Sequence, residues 1–596
     1  MILQALYEYY QRKADLPKEG FEIIRLKFII VIKEDGTFVD LVDQRDGKQG
    51  KEYLLPKSKG RTSPGAWRTT FLLWDHYGYV LSHPKDSEKK SVEMAKKQHN
   101  VFLNSIKNLS DELKKDEGVN AVLSFYEKNQ LEEVKKHPRW QDCSKINGCN
   151  LTFKLDGHTE LIPQRKAIVN YQTNIWDKQE IEGKKLFVAP CLITGLKSPV
   201  ALIHTATPII ESKSKSTAKL VGIKKKSGYD SYKKEQAYNA PVSIKAEYAY
   251  TTALKHLIHS TTNHVVVSDT TILFWATTPT TSFDIEQSFV YMVSPKDDPD
   301  KRVRVVEALF KAIETGQLPY DGNSKFYVLG LAAPTPARIS IRTWKVGTVR
   351  EFGERIIKHF KDLQLDEHDY YTLYEILAST SVETKDRKKP SAVFFRGKSY
   401  DVPPNLASEI ITSILEDKPY PVTLLHQCIR RIRAEVARKD KNGTLLQNVT
   451  RPRAAILKAF LNRNKRIYNY NYKEIDMALD ITNDEVGYVL GRLFALLEKI
   501  QEESARPNKL NSTIRERYYS SLSSSPPVVL PLLMRLKNHH LAKLNGGLKN
   551  WYENKLAEVV KLLEAKNIPS HLTLEQQALF AVGYYHQKIH RDKKDN

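Results

Sequence analysis

The spacing of apolar side chains predicts a mixed N-terminal part for this chain. Apolar residues in 2–13 recur at helical spacing, and an apolar run at 26–32, an Asp-Gly turn and an alternating segment at 38–42 predict a β-hairpin. Further strands are expected at 151–155, 186–193, 199–204, 265–276, 326–333 and 337–343. Helices are expected near 88–108, 245–259, 301–314 and 347–363. Because strands and helices do not alternate regularly, the pattern favours an irregular α+β fold over a doubly wound sheet.

Beyond about residue 345 the strand pattern fades and helical periodicity dominates. Thr482 and Glu485 have the spacing of a capping box, and an apolar stripe follows them as far as Ile500. This stretch predicts the first helix of a C-terminal helical region.

Three more amphipathic helices are expected after the first. Pro531 is predicted to open the second and Gly546-Gly547 to end it. The third is expected over 549–566, and the sequence TLEQ at 573–576 is predicted to cap the fourth. Four such helices with modest loops predict a four-helix bundle.

These patterns divide the 596 residues into three expected parts. Residues 1–345 form an α+β N-terminal body, 346–476 a mostly helical connector, and 477–596 the helical bundle. The join lies near 466–482, where Asn, Tyr and Lys alternate without an apolar period.

The charge balance indicates a class of partner. The chain has 93 Lys and Arg against 70 Asp and Glu, a net charge of +23, which favours binding to polyanions through release of their counterions. Its four cysteines form no CxxC pair, which argues against a disulfide framework or a zinc site. The N-terminus lacks the pattern of a signal peptide and no apolar stretch reaches membrane-spanning length, so we expect a cytoplasmic protein.

Motifs of common enzyme classes are missing from the sequence. It contains no GxxxxGK[ST] loop, no GxGxxG fingerprint and no HExxH motif. His368-Asp369 is the one doublet that suggests a metal-dependent nuclease, but no further ligands lie near it at helical spacing. We therefore expect a binding protein without catalytic residues, metal or cofactor, and keep a metal-dependent nuclease as an alternative.

The first candidate nucleic-acid segment is a basic loop that leads into FLLWD at 71–75. Small residues let a backbone approach a sugar-phosphate chain, hydroxyls and cations contact phosphate, and an aromatic ring can stack on bases. An ordinary solvated loop is the alternative interpretation. The candidate DNA-binding residues are Lys57, Lys59, Gly60, Arg61, Thr62, Ser63, Gly65, Trp67, Arg68, Thr69, Thr70 and Phe71.

The second candidate is a lysine run at 213–234, in which Asp230 is the only acidic residue. Such a run is expected to form a loop that orders on a polyanion, and a solvated loop is again the alternative. Its phosphate-contact candidates are Lys213, Lys215, Lys219, Lys224, Lys225, Lys226, Lys233 and Lys234.

The third candidate is a set of cations on predicted helices. Guanidinium groups that share a helical face suit phosphates, whereas salt bridges within a helical domain are the competing explanation. The phosphate-contact candidates here are Arg430, Arg431, Arg433, Arg515, Arg517, Arg535 and Lys537; Arg451, Arg453, Lys458, Arg463, Lys465 and Arg466 follow the first three along the chain.

Short sequences distributed over nearly the whole chain resemble the large-subunit family of the subtype I-C CRISPR surveillance complex (Cascade). They are MILQAL at 1–6 with YY at 9–10, FLLWD at 71–75 with YVL at 79–81, CLITG at 191–195, KEQ at 234–236 with NAPVS at 239–243, YAYTTAL at 248–254, FWA at 274–276, LGL at 329–331 with ARISIR at 337–342, GRLF at 491–494 and RLKNHHL at 535–541. Each match is short, and together they are specific.

The resemblance implies a non-catalytic subunit at the foot of a crRNA-guided complex in a prokaryotic cytoplasm. It would recognise the short PAM duplex, help to open the target and hold the displaced single strand, while base pairing reads the target sequence. The implied partners are crRNA, double-stranded target DNA, the Cascade backbone and crRNA-processing subunits, small subunits, and a separate helicase-nuclease. An RNA-binding scaffold protein is a further alternative.

The resemblance also implies a second product from the same gene. In this family the helical C-terminus matches a small subunit that is made separately from an internal start. Met477, one of five methionines, stands immediately before the first predicted bundle helix, so a start there would give residues 477–596.

At one position the chain departs from the family pattern. Family members carry a polar amide, a candidate PAM reader, just before the Leu-Trp-acidic motif, where this chain has Phe71 after Thr69-Thr70. Either the reading group lies within 62–70 or the motif is displaced by a few residues. Gln236 and Asn239 form a second amide pair that could read the PAM or act as a strand wedge.

Overall fold

The computed structural model describes two compact units of mixed helices and strands, which confirms the α+β class. The first unit comprises Met1–Thr205 and Val221–Leu254, and the second Ala206–Leu220 and Lys255–Asn596. The described residues are all of 1–596 except 15, 48, 58–64, 180–186, 210–217, 226–233, 261, 278–284, 294–307, 309–323, 336–337, 367–368, 387–391, 396, 471, 508–509, 511, 565 and 591–596.

The first unit begins with a helix and a group of strands, as expected. Its elements are α1 (Ile2–Arg12), β1 (Phe21–Leu26), β2 (Phe28–Ile32), β3 (Phe38–Asp43), β4 (Arg45–Asp46), β5 (Gln49–Pro56), β6 (Trp74–His76), α2 (Tyr77–Val80), α3 (Lys89–Lys107), α4 (Asp111–Lys114), α5 (Glu117–Glu127), α6 (Leu131–Lys136), α7 (Trp140–Ser144), β7 (Asn150–Leu155), α8 (Lys166–Gln179), β8 (Val188–Pro190), β9 (Lys197–Pro199) and α9 (Ile244–His259), whose last residues belong to the second unit.

The central sheet of the first unit has the strand order β3-β2-β7-β6. The predicted hairpin is confirmed as β2 and β3, and β2 also pairs in parallel with β7. Every residue of β2 is buried because the sheet is covered on both faces: Ile30 belongs to one hydrophobic cluster and Ile29 to another. This explains why β2 reads as a continuous apolar run instead of an alternating one.

A second sheet, β1-β5-β4, ends beside the predicted DNA-binding loop. The buried Gln172 amide donates to the carbonyls of Gly20 (2.9 Å) and Lys57 (2.8 Å), and the Trp74 indole N–H donates to the Pro56 carbonyl (2.8 Å). These bonds fix the end of β5, so the chain enters the loop from a defined position.

The second unit combines two sheets with a large helical assembly. Its elements are β10 (His264–Val267), β11 (Thr270–Ala276), α10 (Ile285–Val293), β12 (Lys325–Thr335), β13 (Arg338–Thr348), α11 (Val349–Leu363), α12 (Leu373–Thr380), β14 (Val382–Thr384), β15 (Ala392–Phe395), β16 (Lys398–Asp401), α13 (Leu406–Leu415), α14 (Val422–Ala434), α15 (Arg451–Tyr468), α16 (Val486–Ala505), α17 (Ile514–Leu522), α18 (Pro526–Leu541), α19 (Gly546–Lys561) and α20 (Leu574–Ile589). Within the described part of the chain, no helix is long and apolar enough to cross a membrane.

The larger sheet of this unit is antiparallel, in the order β10-β11-β12-β13. Strands β11, β12 and β13 carry an aromatic stack in which the rings of Trp275 and Tyr327 lie 5.2 Å apart and those of Tyr327 and Trp344 5.7 Å. Helix α11 covers the other side, begins with a capping box at Thr348, and packs Phe352 against Phe326. The strand predicted at 265–276 is two strands, and the helix predicted at 301–314 lies outside the described residues apart from position 308.

One hydrophobic cluster of the second unit contains residues from both sides of each predicted boundary, 345 and 476. It joins residues of β10–β12 to residues of every helix from α10 to α20. Inside the expected connector the chain also forms a small sheet, β14-β16-β15, which helical periodicity did not reveal. The division into three parts at 345 and 476 stays a prediction, although this apolar cluster includes residues from all three.

The C-terminal region differs from the prediction in its helix starts. Thr482 bonds to Asp480 instead of forming a capping box, and α16 begins at Val486. Pro531 lies inside α18, because Pro526 already occupies the first helical turn. Gly546-Gly547 begin α19 instead of ending a helix, because the Asn545 side chain caps it by accepting from the Leu548 N–H (2.9 Å).

The capping box at Thr573 and Gln576 is confirmed at the start of α20. The described residues from 477 onward form five helices, α16 to α20, where four were predicted. The additional one, α17, carries its own capping box at Thr513 and Glu516.

Helices α16 and α20 approach each other closely through glycines. A Cβ on Gly491 would lie 2.0 Å from the Phe580 carbonyl oxygen, and one on Gly583 would lie 2.2 Å from the Tyr488 carbonyl oxygen. Because both obstacles are backbone atoms, no side-chain rotation can make room for a methyl group. The pair therefore requires glycine at these positions.

We expect Gly491→Ala to lower the free energy of unfolding by about 1–3 kcal/mol, because α16 and α20 must separate to accommodate the methyl group. Chemical denaturation of the purified chain measures this. Gly547→Ala is the matched control, since its Cβ would meet only the Asn545 side chain at 3.9 Å, and it should leave the stability unchanged or slightly raise it. Equal effects of the two substitutions would contradict the close packing.

Candidate nucleic-acid interface

The described end of the predicted DNA-binding loop presents a cation on an aromatic ring. Gly65 has a left-handed backbone (φ 109°), and a short 3-10 turn follows at Ala66–Arg68. The exposed Arg68 guanidinium lies 4.6 Å from the Trp67 ring centroid. A Cβ on Gly65 would come within 2.9 Å of the Arg68 Nη1 atom, so glycine leaves the space that this arginine uses. Exposed arginine and half-buried tryptophan together can contact phosphate and stack on a base.

Both ends of the loop are fixed to the first unit. Lys57 is held by its backbone, and its ammonium lies 5.0 Å from the Tyr248 ring centroid. At the other end, the Thr70 hydroxyl donates to the Ser105 hydroxyl of α3 (3.2 Å). Among the predicted residues, Lys59, Gly60, Arg61, Thr62 and Ser63 lie outside the described residues.

Phe71 is partly buried and packs within the first unit. Its ring stacks on Trp74 with a centroid distance of 4.1 Å, and its N–H donates to the buried Asp75 carboxylate (3.3 Å). Its role in DNA binding stays a prediction, and the polar side chains that precede it are Thr69 and Thr70.

The second predicted amide pair is bound to its own loop. Gln236 donates to the Ile223 carbonyl (3.2 Å), and Asn239 donates to the carbonyls of Lys234 (2.8 Å) and Gln236 (3.2 Å). These bonds use the amide N–H groups to shape the 3-10 turn Gln236–Asn239. A role of this pair in reading bases stays a prediction.

Four of the eight lysines predicted to contact phosphate are described, and these four are divided between the two units. Lys219 lies in the second unit, in a backbone bridge to Arg338. Lys224, Lys225 and Lys234 lie in the first unit and are exposed, and Lys225 forms an ion pair with Glu235 (3.0 Å). Lys213, Lys215, Lys226 and Lys233 lie outside the described residues.

Most of the buried cations of α15 form ion pairs within the protein, which agrees with the alternative of salt bridges inside a helical domain. Arg453, Lys458 and Arg463 are each at most 5% exposed. Arg453 pairs with Glu435 (2.7 Å) and Arg463 with Asp417 (2.9 Å). Burial lowers the pKa of Lys458, whose ammonium donates to the Asp362 carbonyl (3.1 Å). These groups stabilise the interior and do not face a ligand.

Three further predicted phosphate-contact residues are wholly or partly buried, and their role in phosphate contact stays a prediction. Arg515 is 2% exposed and pairs with the buried Glu498 (3.4 Å). Arg431 is largely buried in an ion pair with Glu435. Burial lowers the pKa of Arg433, whose Nε and Nη2 atoms are buried without a hydrogen-bond partner among the described residues. Helical spacing alone could not separate these residues from exposed ones.

The remaining predicted cations of the helices are accessible. Arg430 on α14, Arg517 on α17 and Arg535 on α18 are exposed, and Lys537 is partly exposed. Arg430, Arg535 and Lys537 form no ion pair with any described residue, while Arg517 donates to the Ser512 hydroxyl (3.1 Å). These four side chains stay candidates for phosphate contact.

An exposed row of tyrosines was not predicted as a site. Ring centroids of Tyr468 and Tyr470 lie 5.5 Å apart and those of Tyr470 and Tyr472 5.9 Å, and the first two rings are 54% and 44% exposed. Lys465 lies over the Tyr472 ring at 5.7 Å. Alternation of Tyr and Asn at 468–472 was visible in the sequence, and it indicates a surface on which bases of a single strand can stack.

In the predicted metal doublet His368-Asp369, Asp369 forms an ion pair with an arginine. The Asp369 carboxylate accepts from Arg451 (2.9 Å), and burial raises its pKa although Arg451 opposes this; His368 lies outside the described residues. Among the described residues, one group has metal-ligand spacing: Glu34, Glu117 and His158. Its carboxylates are exposed, and Glu117 is engaged by Arg165 (3.2 Å). Neither group has the form of a buried metal centre.

One protein-family model matches residues of both units. The family model described as CRISPR-associated protein (Cas_Csd1) matches residues 6–591. No curated protein matches the chain.

The two classes of arginine should behave differently on substitution. We expect Arg453→Ala to lower the free energy of unfolding by about 3–5 kcal/mol, since it leaves Glu435 with less compensation in the interior. Arg430→Ala should change stability by less than about 0.5 kcal/mol, weaken nucleic-acid binding and reduce the salt slope by about one. Denaturation and salt-dependent binding titrations measure the two effects. Loss of stability in Arg430→Ala would contradict the assignment.

Proposed function

The chain belongs to the Cas_Csd1 family of CRISPR-associated proteins, and from this premise we propose that it is the large subunit of a subtype I-C, crRNA-guided DNA surveillance complex (Cascade). In this role it performs no catalysis. It recognises the PAM duplex, promotes unwinding of the target and stabilises the resulting R-loop in a prokaryotic cytoplasm. Its partners are crRNA, target DNA, the backbone and crRNA-processing subunits, small subunits and the helicase-nuclease that it helps to recruit.

The observation that carries the proposal is the Arg68–Trp67 pair at the fixed end of the basic loop. The cation and ring are 4.6 Å apart and Arg68 is exposed, so both groups can meet a duplex without rearrangement of the core. Arginine reads guanine edges in the major groove or contacts phosphate, and tryptophan can wedge between base steps. PAM recognition needs such a small protein-based reader, because base pairing reads the rest of the target.

The tyrosine row supports the second part of the proposal, which is retention of the displaced strand. Tyr468 and Tyr470 are exposed, so their rings are accessible to bases, each of which has a π-face. Stacking is tolerant of sequence, as a displaced strand of arbitrary sequence requires.

We also propose that the C-terminal region is made separately as a small subunit from Met477. Met477 is exposed and stands nine residues before α16, so a product that starts there contains α16 to α20 complete. The close glycine contact between α16 and α20 lies entirely inside this product.

We expect Arg68→Ala in the assembled complex to weaken binding to a PAM-bearing duplex by about 1–3 kcal/mol, and to leave binding to a pre-unwound target nearly unchanged. Gel-shift titrations with and without a PAM measure the difference. Lys145→Ala, an exposed cation elsewhere on the first unit, is the control and should affect both targets alike. Equal loss on both targets would make Arg68 a phosphate contact and not a reader.

An RNA-binding scaffold would give another result. Protection footprinting of the PAM duplex by the complex should show contacts at the PAM, and these should weaken in Arg68→Ala. A scaffold that only tethers a partner to RNA leaves the PAM duplex unprotected in both cases.

Expression of the operon with Met477→Ala should abolish a product of 120 residues, 477–596, and leave the full chain intact, because the side chain is 43% exposed and contributes little to the core. A blot against the C-terminus and mass spectrometry detect both species. Met534→Ala is the control for loss of a methionine within the same region. Persistence of the small product in Met477→Ala would contradict the internal start.

A further inference from the structure

The first unit contains a cavity that none of the predicted sites uses. It has a volume of about 420 Å³ and lies between the start of α2, the first turns of α3 and the turn that precedes β7. That volume is within the range of small-molecule sites and is sufficient for a base with its sugar.

Three polar side chains present hydrogen-bonding groups to this cavity. The ring nitrogens of His83 and the amides of Gln98 and Asn147 line it, and none of them forms a hydrogen bond with another described residue. The His83 ring is held edge-on between Tyr77 (5.2 Å) and Trp140 (4.9 Å). Asn147 is exposed and His83 and Gln98 are partly exposed, so all three can exchange water for a polar ligand.

The chemistry of these groups fits the edge of a nucleobase. Burial lowers the pKa of His83, assisted by Lys135, so the ring is neutral near pH 7 and offers one donor and one acceptor. Each carboxamide adds a donor and an acceptor. A nucleobase edge carries the same mixture of donors and acceptors, whereas a carboxylate or an apolar ligand does not.

The charge around the cavity fits the phosphate of the same nucleotide. Lys85 and Lys90 line it and are exposed, and no Asp or Glu is among its lining residues. The Met94 side chain supplies an apolar surface for the face of a base.

Helix α3 connects the cavity with the Arg68 loop. Thr70 contacts Ser105 of α3, and Gln98 precedes Ser105 by seven residues on the same helix. At about 1.5 Å per residue this is about 10 Å along the axis. A strand with a rise of about 3.4 Å per nucleotide covers that distance in roughly three steps.

We propose that this cavity binds one unstacked nucleotide of a nucleic-acid strand, with the base on Gln98, Asn147 and His83 and the phosphate on Lys85 and Lys90. The proposal rests on the proposed function, since the strand is either the guide RNA or the target DNA of the assembled complex. A base held in this way leaves the stack and fixes the register of the strand relative to the loop.

Scanning with 2-aminopurine in the assembled complex tests the proposal. One series of complexes carries the fluorescent base at successive positions of the guide RNA, and another at successive positions of each target strand near the PAM. Unwinding unstacks several target bases, so the sign of the site is one position in one of these series whose fluorescence increase depends on Gln98 and Asn147. The series in which it occurs identifies the strand.

The double variant Gln98→Ala/Asn147→Ala should abolish the increase at that position and weaken binding of the strand by about tenfold. Asn100→Ala, an exposed amide of α3 outside the cavity, is the matched control and should retain both. Circular dichroism of the variants checks that the fold is intact.

The other outcomes contradict the proposal in distinguishable ways. Normal target binding with no fluorescent position, or with every increase surviving in the double variant, would overturn the cavity assignment and leave the proposed function intact. A complex that binds neither guide nor target would overturn the proposed function and the nucleotide site with it.

Discussion

The second unit depends on neutralisation of the cations inside helix α15. This helix is buried along most of its length although it carries Arg453, Lys458 and Arg463. Each cation is matched by a group on another element: Glu435 after α14, the Asp362 carbonyl on α11, and Asp417 after α13. Because an uncompensated buried charge costs several kcal/mol, the neighbouring helices are held in one register around α15.

That constraint divides the positive charge of the chain into two populations. Buried cations such as Arg453 are committed to internal partners and are unavailable to a polyanion. Exposed cations such as Arg430 and Arg535 have no internal ion pair among the described residues. The second population is the one that can release counterions from a nucleic acid.

In the first unit, helix α3 contributes residues both to the anchor of the Arg68 loop and to the wall of the cavity. Toward its end α3 holds the Arg68 loop through the contact between Ser105 and Thr70, and near its start it lines the cavity with Gln98 and Lys90. The part of α3 that contacts the loop and the part that lines the cavity are thus about 10 Å apart along one helix. A rigid spacing of this kind suits a reader that acts at a fixed distance from the guide-paired segment.

Local rules determined much of the fold from the sequence alone: the hairpin at Gly36, the capping box at Thr573, and the apolar periods of α11 and α16. Net charge and the motif series likewise indicated a nucleic-acid-binding CRISPR-associated protein. Tertiary structure alone decided that Arg430 is exposed while Arg453 is buried, and that His83 meets Gln98 and Asn147 in one cavity. Periodicity defines the face of a helix, but burial depends on which distant element packs against that face.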